Sequence, residues 1–184
     1  MASQRDEGGF HHEVGADFPG YVQIPEDYPL PPVAHRSVFR FCDVAGAWAG
    51  VAYADGDVIG LPMYFPNCFR ARTLTGLIHT VLLVDPSDSV GTQMDVHFFS
   101  SKPTAGTDNS AWAVSDPETI NFWRGCVSFA TFYDVGGARV SQVVNAGIGL
   151  TSTDTGLWGQ LIARAAYTIS AGFPPRISVH VLQD

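Results

Sequence analysis

Apolar positions along this chain recur at a spacing of two, in short runs divided by Gly, Pro, Asp and Ser, which predicts β-strands joined by turns. The densest stretch runs from Thr73 to Phe99. In its first part Leu77, Val81 and Leu83 share a face with His79, while Ile78, Leu82 and Val84 share the other with Thr80, so neither face reads as wet. In its second part Met94, Val96 and Phe98 alternate with Asp95, His97 and Phe99. The intervening PSDSVGT consists largely of residues that turns favour. The pattern predicts an antiparallel pair whose first strand is central and covered on both sides.

The remaining runs extend the same reading. RSVFRF from Arg36 and DVIGLPMYF from Asp57 are strand segments, Ala47 to Tyr53 is strand or loop, Asp55-Gly56 is a tight hairpin turn, and Pro62 and Pro66 push the strand they flank towards an edge. DPETINFW, residues 116–123, predicts one or two helical turns with Asp116 as N-cap and Pro117 at the first helical position. Cys126 to Tyr133 is a strand turned by Gly136-Gly137, and in the strand after it Val140, Val144, Ile148 and Leu150 share a face with Gln142 and Ala146. Leu157 to Ile169 reads as strand in preference to helix, because Gly159, Tyr167, Thr168 and Ile169 disfavour a helix. The last run alternates Ile177, Val179 and Val181 with Ser178, His180 and Leu182. About eight strands and one short helix predict an all-β fold, an antiparallel β-sandwich of jelly-roll-like form, spanning residues 36–184. Its expected core includes Leu77, Val81, Leu83, Val96, Phe98, Phe129, Val179 and Val181.

Residues 1–35 differ. They hold five of the 12 prolines (Pro19, Pro25, Pro29, Pro31, Pro32), six acids against the single Arg5, and no periodic apolar pattern. Proline at this spacing predicts an extended N-terminal arm. Its Phe10, Phe18, Tyr21, Val22, Ile24, Tyr28 and Leu30 are too apolar for a solvated tail, which makes the arm a candidate for docking on a partner, with Tyr21, Ile24 and Tyr28 as anchors.

A length of 184 residues suits one domain beyond the arm. The formal charge of −8 disfavours nucleic acid and anionic membrane as partners. No apolar run approaches the ~20 residues of a transmembrane helix, and the first residues lack the apolar core of a signal peptide, so a protein made in the cytoplasm is expected. Cys42, Cys68 and Cys126 have no metal or redox spacing and read as free, buried, small hydrophobes. Charged residues are 15% of the chain, against ~25% in ordinary soluble domains. All basic residues but Lys102 are Arg, and aromatics reach 12%. That balance fits a surface covered by other protein, and equally a GC-rich genome.

Candidate chemistry is sparse, and neither a catalytic role nor a cofactor is expected. His79, His97 and His180 lie in three strands and would form a three-histidine metal site if those strands converged, but lone strand histidines are more often hydrogen-bonded, partly buried residues. His11, His12 and Glu13 are adjacent on a segment without preformed geometry. Asp55 and Asp57 lack the further spaced oxygens of a calcium loop. Trp48, Trp112, Trp123 and Trp158 are core or interface anchors, or a platform for stacking sugars.

The segments AYADGDVIG (52–60), GLIHTVLLVD (76–85), MDVHFF (94–99), DNSAW (108–112), LWGQLIAR (157–164) and ISVHVLQD (177–184) resemble, in that order, a family of small tailed-bacteriophage structural proteins similar to head decoration, or cement, proteins. The resemblance covers about residues 52–184 and carries no catalytic residues. It implies a virion structural protein on the capsid exterior that binds the major capsid protein and stabilises the shell, as a homo-oligomer and specifically a trimer. The competing expectation is a tail or baseplate component, or a carbohydrate-binding β-sandwich using Trp112 or Trp158.

Overall fold

A computed structural model of the chain describes residues 3–5, 11–13, 36–46, 50–87, 92–104, 107–169 and 173–184. The chain divides into two units, 1–34 and 35–184. In the first, β1 (Ser3–Arg5) pairs antiparallel with β2 (His11–Glu13), Ser3 opposite Glu13. This pair precedes the proline-containing stretch, residues 19–32, which lies outside the described residues. Tyr21, Ile24 and Tyr28 lie outside the described residues.

The second unit carries, in order, β3 (Arg36–Asp43), β4 (Ala52–Tyr53), β5 (Val58–Phe65), β6 (Thr75–Asp85), β7 (Met94–Phe99), α1 (Asp116–Phe122), β8 (Trp123–Phe129), β9 (Tyr133–Asp134), β10 (Arg139–Thr151), β11 (Leu157–Ala163), β12 (Tyr167–Thr168) and β13 (Arg176–Gln183). One sheet has the order β3-β13-β6-β10-β9, a second β5-β11-β7-β8, and β4 pairs with β12. Every pairing is antiparallel. Counting only the eight long strands, the sheets run first-eighth-third-sixth and second-seventh-fourth-fifth, the double Greek key of a jelly-roll sandwich.

The inner faces make one core: Val38, Ile78, Val81, Leu83, Ile177, Val179 and Val181 from the first sheet meet Ile59, Met63, Phe65, Val96, Phe98, Phe129, Leu157 and Leu161 from the second. Burying each such side chain contributes ~1.5–3 kcal/mol. Of the expected core only Leu77 is misplaced, at 37% exposed. Between His180 and Val181 the β13 register skips a residue of β6, with His180 opposite Thr80 and Val181 opposite Ile78. This bulge reverses the facing of the residues before it, so Ile78 enters the core and Leu77 points out.

β6 and β7 do not form a hairpin. They lie in opposite sheets. Their burial also reverses the expectation: β6 is buried on one face and only partly covered on the other, whereas β7 is buried on both except at His97. The Asp55-Gly56 turn does form, with Gly56 in the left-handed region and Asp57 Oδ2 accepting from Ala54 N at 2.7 Å. The strands on either side of it pair elsewhere, β4 with β12 and β5 with β11. β5 is an edge strand of its sheet, as its prolines predict. Helix α1 begins one residue earlier than expected, with Ser115 as N-cap. Ser115 Oγ and N both donate to Glu118 Oε2, at 2.7 and 3.1 Å, and the bonds from Ser115 and Thr104 hold the Glu118 carboxyl down at about 2.

Candidate interaction surface

Two register irregularities determine what the first sheet shows to solvent. The bulge in β6 turns Leu77 outwards. In β10 the pairing with β6 breaks between Val144 and Ile148, where Asn145 and Gly147 adopt left-handed conformations. Val140 and Val144 therefore face out, while Ile148 and Leu150, expected beside them, face the core. β3 and β13 alternate without interruption, so Phe39, Phe41 and Leu182 are outward as well.

The result is an outer face with apolar side chains on all five strands, Phe39 and Phe41 on β3, Leu182 on β13, Leu77, Leu82 and Val84 on β6, Val140 and Val144 on β10, and Tyr133 on β9, interspersed with the uncharged Ser37, Ser178, Thr80 and Gln142. Phe39 is 66% and Phe41 65% exposed. Among the described strand residues on this face, the charges are Asp43 and Arg176, which neutralise each other at one corner (Nε to Oδ1, 2.6 Å). The Arg176 guanidinium also lies 4.9 Å from the Phe41 ring centre. A large apolar face with so little charge is unusual on a free surface and ordinary at the centre of a protein contact.

Two of the three strand histidines meet here. His180 stacks on Phe39 with ring centres 4.2 Å apart and planes 2° from parallel, and His79 approaches His180 edge-on at 5.5 Å. His79 Nδ1 lies 2.8 Å from Thr80 Oγ1, while His180 Nε2 is buried without a partner. Burial, and secondarily His79, holds the His180 imidazole below its ordinary value. His97 belongs to the other sheet, so the three do not converge; among the described residues no cluster of His, Cys, Asp and Glu could hold a metal ion.

The outer face of the second sheet is covered. After β7 the chain folds back, with Val58 N donating to Ser110 O and Trp112 N to Gly56 O, both at 2.8 Å. Trp112 lies over His97 and Phe99, with ring centres 5.3 and 6.0 Å away. Burial lowers the His97 pKa against the pull of Asp95, whose Oδ2 is engaged by Arg164 Nε at 2.6 Å.

Asp85 anchors a buried polar network. Asp85, buried, accepts from Ser87 N (2.9 Å), Ser87 Oγ (2.5 Å) and Tyr167 OH (2.9 Å) on one oxygen, and from Arg139 Nη2 (3.0 Å) on the other. Burial and the Asp85 charge raise the Tyr167 pKa. All three cysteines are free thiols, but only Cys68 is buried, as expected; Cys42 is half-buried and Cys126 exposed. Burial pushes Cys68 up to about 12, which leaves it an unreactive thiol. Trp48 lies outside the described residues.

Sequence reasoning missed the apolar outer face, although part of its signal was visible in the run Leu77 to Val84, apolar at both phases. Phe39 and Phe41 gave no separate signal, since Val38 and Cys42 make the opposite face of the same strand apolar as well, and the run reads as a core segment in either phase. Compared with known proteins, the chain matches no family model and no curated protein.

Proposed function

We propose that this chain is a virion structural protein, a head decoration or cement protein of a tailed bacteriophage that binds the outside of the major capsid protein shell and stabilises it. The observation that carries the reading is the five-stranded outer face, apolar and nearly free of net charge, on a chain whose formal charge is −8. Such a face suits permanent attachment to protein, and the resemblance of six strand and turn segments to phage head proteins supplies the partner. A trimer fits this reading, since capsid lattices offer threefold positions that a closed ring of three subunits matches. The arm provides a second attachment: Tyr21, Ile24 and Tyr28 are its anchors, and its excess of acids favours a basic strip on the capsid.

The test is co-sedimentation with expanded capsids assembled without this protein. Each phenylalanine buried at a contact contributes ~1.5–3 kcal/mol, so the double variant Phe39→Ser/Phe41→Ser binds at least about a hundredfold more weakly. Wild-type binding unaffected by that change would refute the assigned face. Binding to purified tails in place of capsids would favour a tail or baseplate role.

A further inference from the structure

On the second sheet, opposite the apolar face, one register row crosses all four strands: Tyr64 on β5, Trp158 on β11, Phe99 on β7 and Trp123 on β8. Every member is aromatic. Tyr64 and Trp158 are 4.8 Å apart between ring centres. The two ends are accessible, Tyr64 at 38% and Trp123 at 40%, while Phe99 is buried beneath Trp112. With strands ~4.8 Å apart, the row is about 14 Å long.

In the next row Gln160 lies opposite His97, and each carries a buried polar atom without a partner, Gln160 Oε1 and His97 Nε2. Their chemistry is fixed by their other contacts. Trp123 Nε1, which can only donate, bonds His97 Nδ1 at 3.2 Å, so the neutral imidazole carries its proton on Nε2 as a free donor. The Gln160 amide nitrogen faces the carbonyls of Ile59, Gly60 and Leu161, each at 3.3 Å, which leaves Oε1 as a free acceptor. Gln160 is 0% exposed. An unpaired buried donor and an unpaired buried acceptor, on neighbouring strands, are costly to leave unmet.

From this juxtaposition we infer that the outer face of the second sheet is a binding site for a neutral oligosaccharide. A pyranose ring has C–H faces that stack on aromatic rings, and its hydroxyls accept from one group while donating to another. Those are the two demands made here. A carboxylate has no proton for Gln160 Oε1, so a ligand of hydroxyls, each both donor and acceptor, is the better match. The row is long enough for about three sugar rings. Trp112 is the cover: its ring turns aside to admit a hydroxyl to His97 and Gln160, then packs against the bound sugar. Lys102, whose Nζ lies 5.7 Å from the Trp158 ring, borders the site. The inference is independent of where in a virion the protein sits.

The test titrates the full chain with neutral hexasaccharides of glucose, N-acetylglucosamine, mannose and galactose, to about 10 mM, by calorimetry and tryptophan fluorescence. At least one binds saturably, shifting the indole N–H resonances of Trp112, Trp123 and Trp158. Tyr64→Ala and Trp123→Ala each weaken it about tenfold or more, and Phe39→Ser/Phe41→Ser leaves it unchanged. The inference is wrong if no probe binds, if the indole resonances of wild-type protein do not move on binding, or if a folded Tyr64→Ala/Trp123→Ala variant binds as tightly as wild type. In each of those outcomes the two polar atoms hold an ordered water only.

Discussion

Replacing Arg139 with methionine removes the cation paired with the fully buried Asp85 carboxylate and keeps most of the side-chain volume. Asp85 Oδ1 would retain Ser87 N, Ser87 Oγ and Tyr167 OH, but Oδ2 would lose Arg139 Nη2. With Asp85 fully buried and Arg139 nearly so, solvent cannot substitute. Breaking a buried pair from one side costs about 3–5 kcal/mol, and the guanidinium's contact with the Phe132 ring, at 4.9 Å, is lost with it. Against a total stability of ~5–15 kcal/mol this is a large fraction. For a domain of this size it lowers Tm by about 6–20 °C. Urea unfolding followed by tryptophan fluorescence measures the loss, provided the slope is unchanged. Removing both charges in Asp85→Asn/Arg139→Met costs at least about 2 kcal/mol less than the sum of the single losses, because no uncompensated charge remains. If Arg139→Met loses less than about 1 kcal/mol, or the two losses simply add, water reaches Asp85 and this account of the network is wrong.

Further expectations follow from the same geometry. His97 and His180 are both held below the ordinary 6.5 by burial, so their contribution is complete above the unfolded-state value and is lost as pH falls below it towards their folded pKa values; urea midpoints should fall between about pH 7.5 and about pH 5.5, and a flat profile would contradict this. The depressed carboxyls of Asp43 and Glu118 act only below their ordinary values of 3.8 and 4.5, outside that window. At Gly76 a Cβ would stand 2.8 Å from Leu182 O, so Gly76→Ala should push β6 from β13 and cost about 1–3 kcal/mol in urea unfolding; a neutral result would mean the strands separate freely. A truncation beginning at Arg36 should fold, by circular dichroism, yet bind capsids more weakly and with less salt dependence; equal binding at all salt concentrations would make the arm dispensable.

What could be read from the sequence was local. Alternation located the long strands, Pro62 and Pro66 marked an edge, and Gly136-Gly137 marked a turn, because each depends on the residue's own backbone or on its immediate neighbours. Which sheet a strand joins depends on partners far along the chain, and so β6 and β7, adjacent in sequence, were paired where the fold separates them. Bulges defeated the phase of the pattern in two places: a single inserted residue at β6 sent Leu77 outwards, and the left-handed Asn145 and Gly147 divided Val140 and Val144 from Ile148 and Leu150. The polar-looking face of β7 is buried because residues 107–112 fold back across it, a tertiary event with no periodic signature. For the candidate surface, the doubly apolar run of β6 was legible as a sign of cover on both sides. The described residues cover one side only, and the other is the face assigned here to a partner.

The central claim, that this face and the arm attach the protein to the outside of a phage head, is tested most directly by the composition of virions separated into DNA-filled heads and tails. The account predicts the chain on heads, on their outer surface and in a number set by the threefold positions of the capsid lattice. A few copies per particle, confined to tails, or complete absence from virions, would contradict it.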